Sequence, residues 1–200
     1  MDDSVQQSWE DFLNPHVLRP RLIAASLFIA AFESLRDSIV EHIRAFFCHG
    51  FDEKGEIVDP TYRTDVLSCN RGPLYASLDW LRQMGAIDDA DIAAFNRVKT
   101  CRNRIAHRLL ELIGPEGMPP DFEERFREMA ALLHKIEVWW IKNVDIPTNP
   151  DFDGKDIDEA EIIPGPVVGL QLLCDIALGS EEQSRFYHEG FRRGSDHDGA

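Results

Sequence analysis

The chain has 200 residues, of which 44% are hydrophobic and 28% charged, enough apolar material for a packed core and too much for a disordered chain. Its formal net charge of −15 makes the whole-molecule field repel nucleic acid, so any nucleic-acid site must be a local basic patch. The four cysteines, Cys48, Cys69, Cys101 and Cys174, are far apart with no Cys-x-x-Cys pair, which fits reduced thiols in a cytosol better than a disulfide framework.

The start, Met1-Asp2-Asp3, lacks the basic region of a signal peptide. A short amphipathic stretch from Val5 to Leu13 ends at Asn14-Pro15, and Pro20 is expected to open a long helix reaching about Cys48. In it Phe28, Phe32, Leu35, Ile39, Ile43 and Phe46 recur at steps of three and four, one apolar stripe. The longest apolar run, Leu22 to Phe32, is closed by Arg21 and Glu33 and is far short of the about 20 residues a membrane span needs. No membrane partner is expected.

Residues 50–60 read as a polar loop, with a short helical piece near Thr61 to Cys69. Gly72-Pro73 opens the next helix, with Leu74, Leu78 and Leu81 on one face and Gly85 at its end. Asp88 is placed to cap a helix over roughly 89–113 that Gly114-Pro115 terminates. A further helix runs from Asp121 to about Asn143, its seam formed by Phe122, Phe126, Met129, Leu133, Ile136 and Trp140. No stretch shows strand alternation. After Pro147 the chain turns acidic and loop-like to Pro166, then gives two short helices near 167–178 and 181–192. The expected fold is all-α: an antiparallel helical bundle over residues 1–145, and an acidic loop with a C-terminal helical appendage over 146–200.

The chemistry concentrates in Arg102-Asn103-Arg104-Ile105-Ala106-His107. At about 100° per residue, Phe95, Val98, Ile105, Leu109 and Leu112 share the core side of the 89–113 helix, and Arg102 falls in the same sector. A guanidinium there needs an anionic partner or a wet cleft. Glu33, Asp37 and Glu41, an acidic stripe on the long second helix, are the candidate partners. Asn103 and His107 share the opposite face. Arg102 and His107 are about 140° apart, so a second helix or a second subunit must close any site they form. Arg97, Lys99, Arg102, Arg104 and Arg108 crowd this helix with no acid between Asp91 and Glu111, a candidate phosphate-binding stripe. The residues alone equally allow a solvated basic face with a surface histidine.

At these residues the sequence resembles the HEPN superfamily, small helical bundles with an Arg-(Asn, Asp or His)-x-x-x-His signature on a late helix. Arg102, Asn103 and His107 match it position by position. The preceding Gly72-Pro73-Leu74 through Trp80-Leu81-Arg82-Gln83-Met84-Gly85-Ala86-Ile87 is also similar to HEPN-type chains, and more weakly to the mannitol operon repressor family. The likeness spans residues 20–143. It implies metal-independent RNA cleavage without a cofactor, in a homodimer whose signature helices line a shared cleft. A histidine exchanges protons with the ribose 2′-hydroxyl and the leaving 5′-oxygen, an arginine holds the phosphate, and the ends produced are a 2′,3′-cyclic phosphate and a 5′-hydroxyl. In this role Arg102, His107 and Asn103 are the catalytic candidates, and Lys99, Arg104 and Arg108 hold RNA phosphates without reading sequence. The setting implied is toxin–antitoxin or defence, with an antitoxin or regulatory protein as partner. The His-x-Tyr of some toxin members is replaced here by His107-Arg108-Leu109. The alternative is a noncatalytic HEPN-like or repressor-like interaction module.

Two metal motifs are weighed and ranked low. Asn149 to Glu161 imitates a calcium loop, but Pro150 and Ala160 fall at the wrong positions. Cys48-His49 with Asp52 lacks a second zinc-ligand pair. No metal is expected. Trp139-Trp140 is expected to close the bundle or an interface.

Overall fold

The computed structural model describes residues 3–53, 55–114, 116–155 and 157–195, and they are mostly helical. Helix α1 (Asp3–Leu13) leads through Asn14 into α2 (Pro15–Phe46). The long helix therefore begins five residues before the proline expected to open it. Asn14 caps it, its side-chain oxygen accepting from His16 N at 3.0 Å, and Pro15 takes the first position, where no backbone N–H is needed. Pro20 lies inside the helix, near enough to its start that the missing donor falls in a partly exposed turn.

The stripe on α2 is buried from Phe28 through Ile43, whereas Phe46 is half exposed. Past it the chain forms a structure the sequence did not announce, an antiparallel ribbon of β1 (Cys48–Asp52) and β2 (Gly55–Val58) that pairs Phe51 with Glu56 and Asp52 with Gly55. No residue of the ribbon is fully buried; Cys48, Gly50 and Val58 are half buried and the rest are exposed. With no fully buried face to select for, its residues carry no apolar–polar alternation for periodicity to detect. An Arg44–Glu56 pair at 3.0 Å ties it to α2. A π-helical turn (Tyr62–Val66) and a 3₁₀ turn (Leu67–Cys69) then lead to α3 (Pro73–Gln83). Gly85, at φ 74°, reverses the chain after α3, a conformation that strains any residue with a Cβ.

Helix α4 (Asp89–His107) starts on a reciprocal cap. Asp88 accepts from the backbone of Ala90 and Asp91, and Asp91 accepts from the backbone of Asp88. The expected single helix over 89–113 is two. Arg108 leaves helical geometry at φ −126° and ψ 27°, and a short, separate α5 (Leu109–Ile113) follows. The bend buries Leu112 and Ile113. The carbonyls freed at the end of α5 are taken up by Arg21 of α2, whose Nη1 donates to Ile113 O at 3.2 Å and Gly114 O at 2.7 Å.

Helix α6 (Phe122–Trp140) runs on through a π-helical turn (Ile141–Asp145) into a short α7 (Ile146–Thr148). Phe28, Phe32, Leu35 and Ile39 of α2, Leu78 and Leu81 of α3, Phe95, Val98 and Ile105 of α4, and Met129, Leu133, Ile136 and Trp140 of α6 form one continuous core. The last elements are α8 (Gly165–Leu178) and α9 (Glu181–Ser195). Leu170 of α8 joins the same core, while Val168, Leu173 and Ile176 stay exposed. No described helix is long and apolar enough to cross a membrane.

Candidate functional site

Arg102 sits at the rim of the core, and the partner it needs is Glu33. Its Nη2 lies 2.8 Å from Glu33 Oε1, and its guanidinium carbon is 5.5 Å from the centre of the Phe32 ring, a spacing at which the ring face attracts a cation. Neighbours on one turn of α2 therefore hold the charged group by one edge and one face. Its Nη1 lies 3.5 Å from Asn103 Oδ1, and its buried Nε has no partner. Of the other two candidates, Asp37 faces Arg36 at 3.7 Å, and Glu41 forms no ion pair with Arg102. The i, i+4 spacing places three acids on one stripe, but only the first is level with Arg102.

His107 is the last residue of α4 and is exposed. It lies about 7.5 Å further along the axis than Arg102 and about 140° around it. Among the described residues no hydrogen bond or ion pair joins the two side chains. Asn103, half buried between them, leans toward Arg102 rather than His107.

The basic stripe divides in space. Lys99 folds onto α3, its Nζ 3.2 Å from Tyr75 Oη and 4.6 Å from the ring centre. Tyr75 in turn donates to Asn96 Oδ1 at 2.7 Å. On the other flank Arg97 gives Nε and Nη2 to Glu128 Oε1 at 3.1 and 2.6 Å. Arg108 lies between Glu111 and Glu116, and hydrogen bonding to Glu111 raises its already high pKa further. Arg104 is exposed and has no ion-pair or hydrogen-bond partner among the described residues. It borders a cavity of about 340 Å³ with Asn96, Arg97, Thr100, Cys101, Pro119 and Asp121. Burial pushes the Cys101 thiol up to about 11, so at neutral pH it is a protonated wall of that cavity and not a nucleophile.

A buried polar group between α2 and α6 escaped the sequence reading. Ser38 donates to Glu137 Oε1 at 2.5 Å, and His42 Nδ1 is 3.8 Å from the same oxygen. Burial works against the charge on Glu137, but His42 and Ser38 outweigh it and hold the carboxyl below its ordinary value. The His42 ring stacks on Trp140 at 4.6 Å. The available signal was Ser38 and His42 at i, i+4 beside the apolar stripe, with an acid, Glu137, inside the α6 seam. Trp139 and Trp140 close this end of the bundle against Trp80, at 6.1 Å each.

The weighed metal motifs are occupied by local structure. His49 turns to Asp59 at 2.7 Å instead of toward Asp52, and Cys48 donates to Gly50 O. Two bonds from Thr61, reinforced by His49, hold Asp59 down to about 2. Asn149 caps a 3₁₀ turn, Pro150–Phe152. No group of three or more His, Cys, Asp or Glu among the described residues is arranged to hold a metal ion.

No protein-family model matches the chain, and neither a curated protein nor a solved structure is significantly similar to it.

Proposed function

We propose that this protein is a metal-independent endoribonuclease of the HEPN type whose site is completed across a homodimer. The observation that carries the reading is the state of Arg102. A guanidinium at the core rim is fixed by Glu33 and Phe32, beside Asn103 and one and a half turns from an exposed imidazole at the end of the same helix. A second copy of α4 brought against the first supplies the group that one protomer lacks. One His107 takes the proton of a ribose 2′-hydroxyl as its oxygen attacks phosphorus. The His107 of the other copy gives a proton to the departing 5′-oxygen, and Arg102 balances the charge gathering on the phosphate. The products are a 2′,3′-cyclic phosphate and a 5′-hydroxyl.

The test is cleavage of a mixed RNA in EDTA by the wild type, His107→Ala and Arg102→Ala, with the new ends identified chemically. Cleavage by the wild type alone, leaving cyclic phosphate ends, supports the reading. Equal behaviour of wild type and His107→Ala ends it.

A second reading, a noncatalytic module that binds an antitoxin or regulatory protein, is favoured by one feature. Arg97, Arg102 and Arg108 already face carboxylates, which lowers the gain from a phosphate at each.

A further inference from the structure

Resting on the ribonuclease reading, we infer that RNA is held by a narrower track than the whole basic stripe: the outer ridge of α4 from Asn96 to His107, with Arg104 as its central phosphate anchor. Of the five basic residues on α4 and its C-cap, three are ion-paired within the protomer, at Glu128, Glu33 and the Glu111–Glu116 pair. Lys99 is turned onto Tyr75. Arg104 alone keeps its full set of donors. A phosphate brought to it has no carboxylate to displace, whereas one brought to Arg108 must compete with two.

The groups around Arg104 extend the track. Asn96, which borders the cavity, spends its side-chain oxygen on Tyr75, and its N–H₂ has no hydrogen-bond partner among the described residues. Arg97 keeps Nη1 free of Glu128. The acid on the rim, Asp121, is 3.6 Å from Arg125 Nε, and Arg125 also faces Glu124 and Glu128. On helical geometry Arg104 is one turn from His107, about 4.5 Å along the axis and about 60° around it. A strand whose scissile phosphate is at His107 therefore carries its neighbouring phosphate over Arg104 toward Asn96, along roughly 16 Å of helix. From Asn96 to His107 the described residues expose no large apolar side chain, and Leu110, 73% exposed, lies one turn beyond the end of the ridge. A ridge of donors with no apolar side chain between them suits a sugar–phosphate strand, whose phosphates take hydrogen bonds from donors alone, so the occupant we infer is single-stranded RNA.

The test uses a labelled 2′-O-methyl oligonucleotide of mixed sequence, which cannot be cleaved, in anisotropy titrations of the full chain across a salt series. Arg104→Ala is expected to raise Kd about tenfold and to lower the slope of log K against log salt by about 0.7, one single-strand phosphate contact. Asn96→Ala is expected to raise Kd by less and leave the slope unchanged, because a neutral donor releases no counterion. Arg108→Ala is expected to move neither quantity by more than about twofold. Circular dichroism checks that each variant is folded. An unchanged Arg104→Ala, or a slope that falls as far in Arg108→Ala, overturns the track. So does a polyglutamate peptide that binds as tightly as the RNA and is lost with Arg104. If the track fails while His107→Ala still abolishes cleavage, the nuclease reading stands. If Arg104 binds as expected and no cleavage occurs, the track stands as a binding surface and the nuclease reading falls.

Discussion

Replacing Glu33 with Ala removes the one carboxylate paired with Arg102 among the described residues and leaves the guanidinium over Phe32. The Glu33 and Arg102 side chains are 41% and 29% exposed, so the pair is neither free in water nor fully buried. Two unit charges about 4 Å apart attract by about 4 kcal/mol at an effective dielectric of 20 and about 1 kcal/mol in bulk water. Desolvation and the entropy of fixing two long side chains offset most of that, leaving a loss of about 1 kcal/mol. For a chain of this length the midpoint of thermal unfolding should fall by about 2–4 °C. On the proposed ribonuclease reading, the consequence for RNA cleavage should be larger than the consequence for stability. An arginine that swings by an ångström no longer meets the phosphate in its transition-state position, and such misplacement costs on the order of a hundredfold. The assay is a thermal melt beside single-turnover cleavage for Glu33→Ala, Glu33→Gln and the wild type. Glu33→Gln keeps a hydrogen-bond acceptor and should recover part of kcat with little change in KM. A Glu33→Ala protein that melts 2–4 °C lower yet cleaves at the wild-type rate would refute the positioning argument, and one that melts more than 10 °C lower would show that the pair anchors the core.

Further expectations follow from the same geometry. Because its carboxyl titrates below its unfolded value, Glu137 contributes stability that is present above the ordinary glutamate pKa of 4.5 and lost as pH falls through the lower folded value. Acid titrations monitored by tryptophan fluorescence should therefore show Ser38→Ala unfolding at higher pH than the wild type, and Glu137→Gln with a flatter acid limb. Trp140→Ala, which empties a site that is 1% exposed, should cost about 3–5 kcal/mol in chemical denaturation. Gly85→Ala should cost about 1–2 kcal/mol, because φ 74° places a Cβ against the backbone, while Gly72→Ala, with nothing near the added carbon, should cost less. Arg21→Ala should leave the carbonyls of Ile113 and Gly114 without their donor and loosen α5, read as faster amide exchange of Leu112 and Ile113.

What the sequence determined by itself was local. Steps of three and four put Phe28 through Ile43, and Met129 through Trp140, on faces that had to be buried, because an apolar stripe on a helix has no other low-energy place. It placed Arg102 on the core side of its helix and named Glu33 among three possible partners. Tertiary structure chose between them, since a one-dimensional stripe gives the angle of an acid around α2 but not its height against α4. Tertiary structure also broke the 89–113 helix at Arg108, where burial of Leu112 and Ile113 and capping by a distant Arg21 favour a bend that helix propensity does not. It folded the exposed 48–58 segment into a ribbon that left no periodic trace. The stripe of five cations read from the chain became, among the described residues, one arginine without an ion pair and one lysine folded onto Tyr75, for a similar reason. Charge is a property of sequence, but whether a charge is available depends on which carboxylates the fold brings within reach, and those at Glu33 and Glu128 lie far along the chain from the arginines they neutralise.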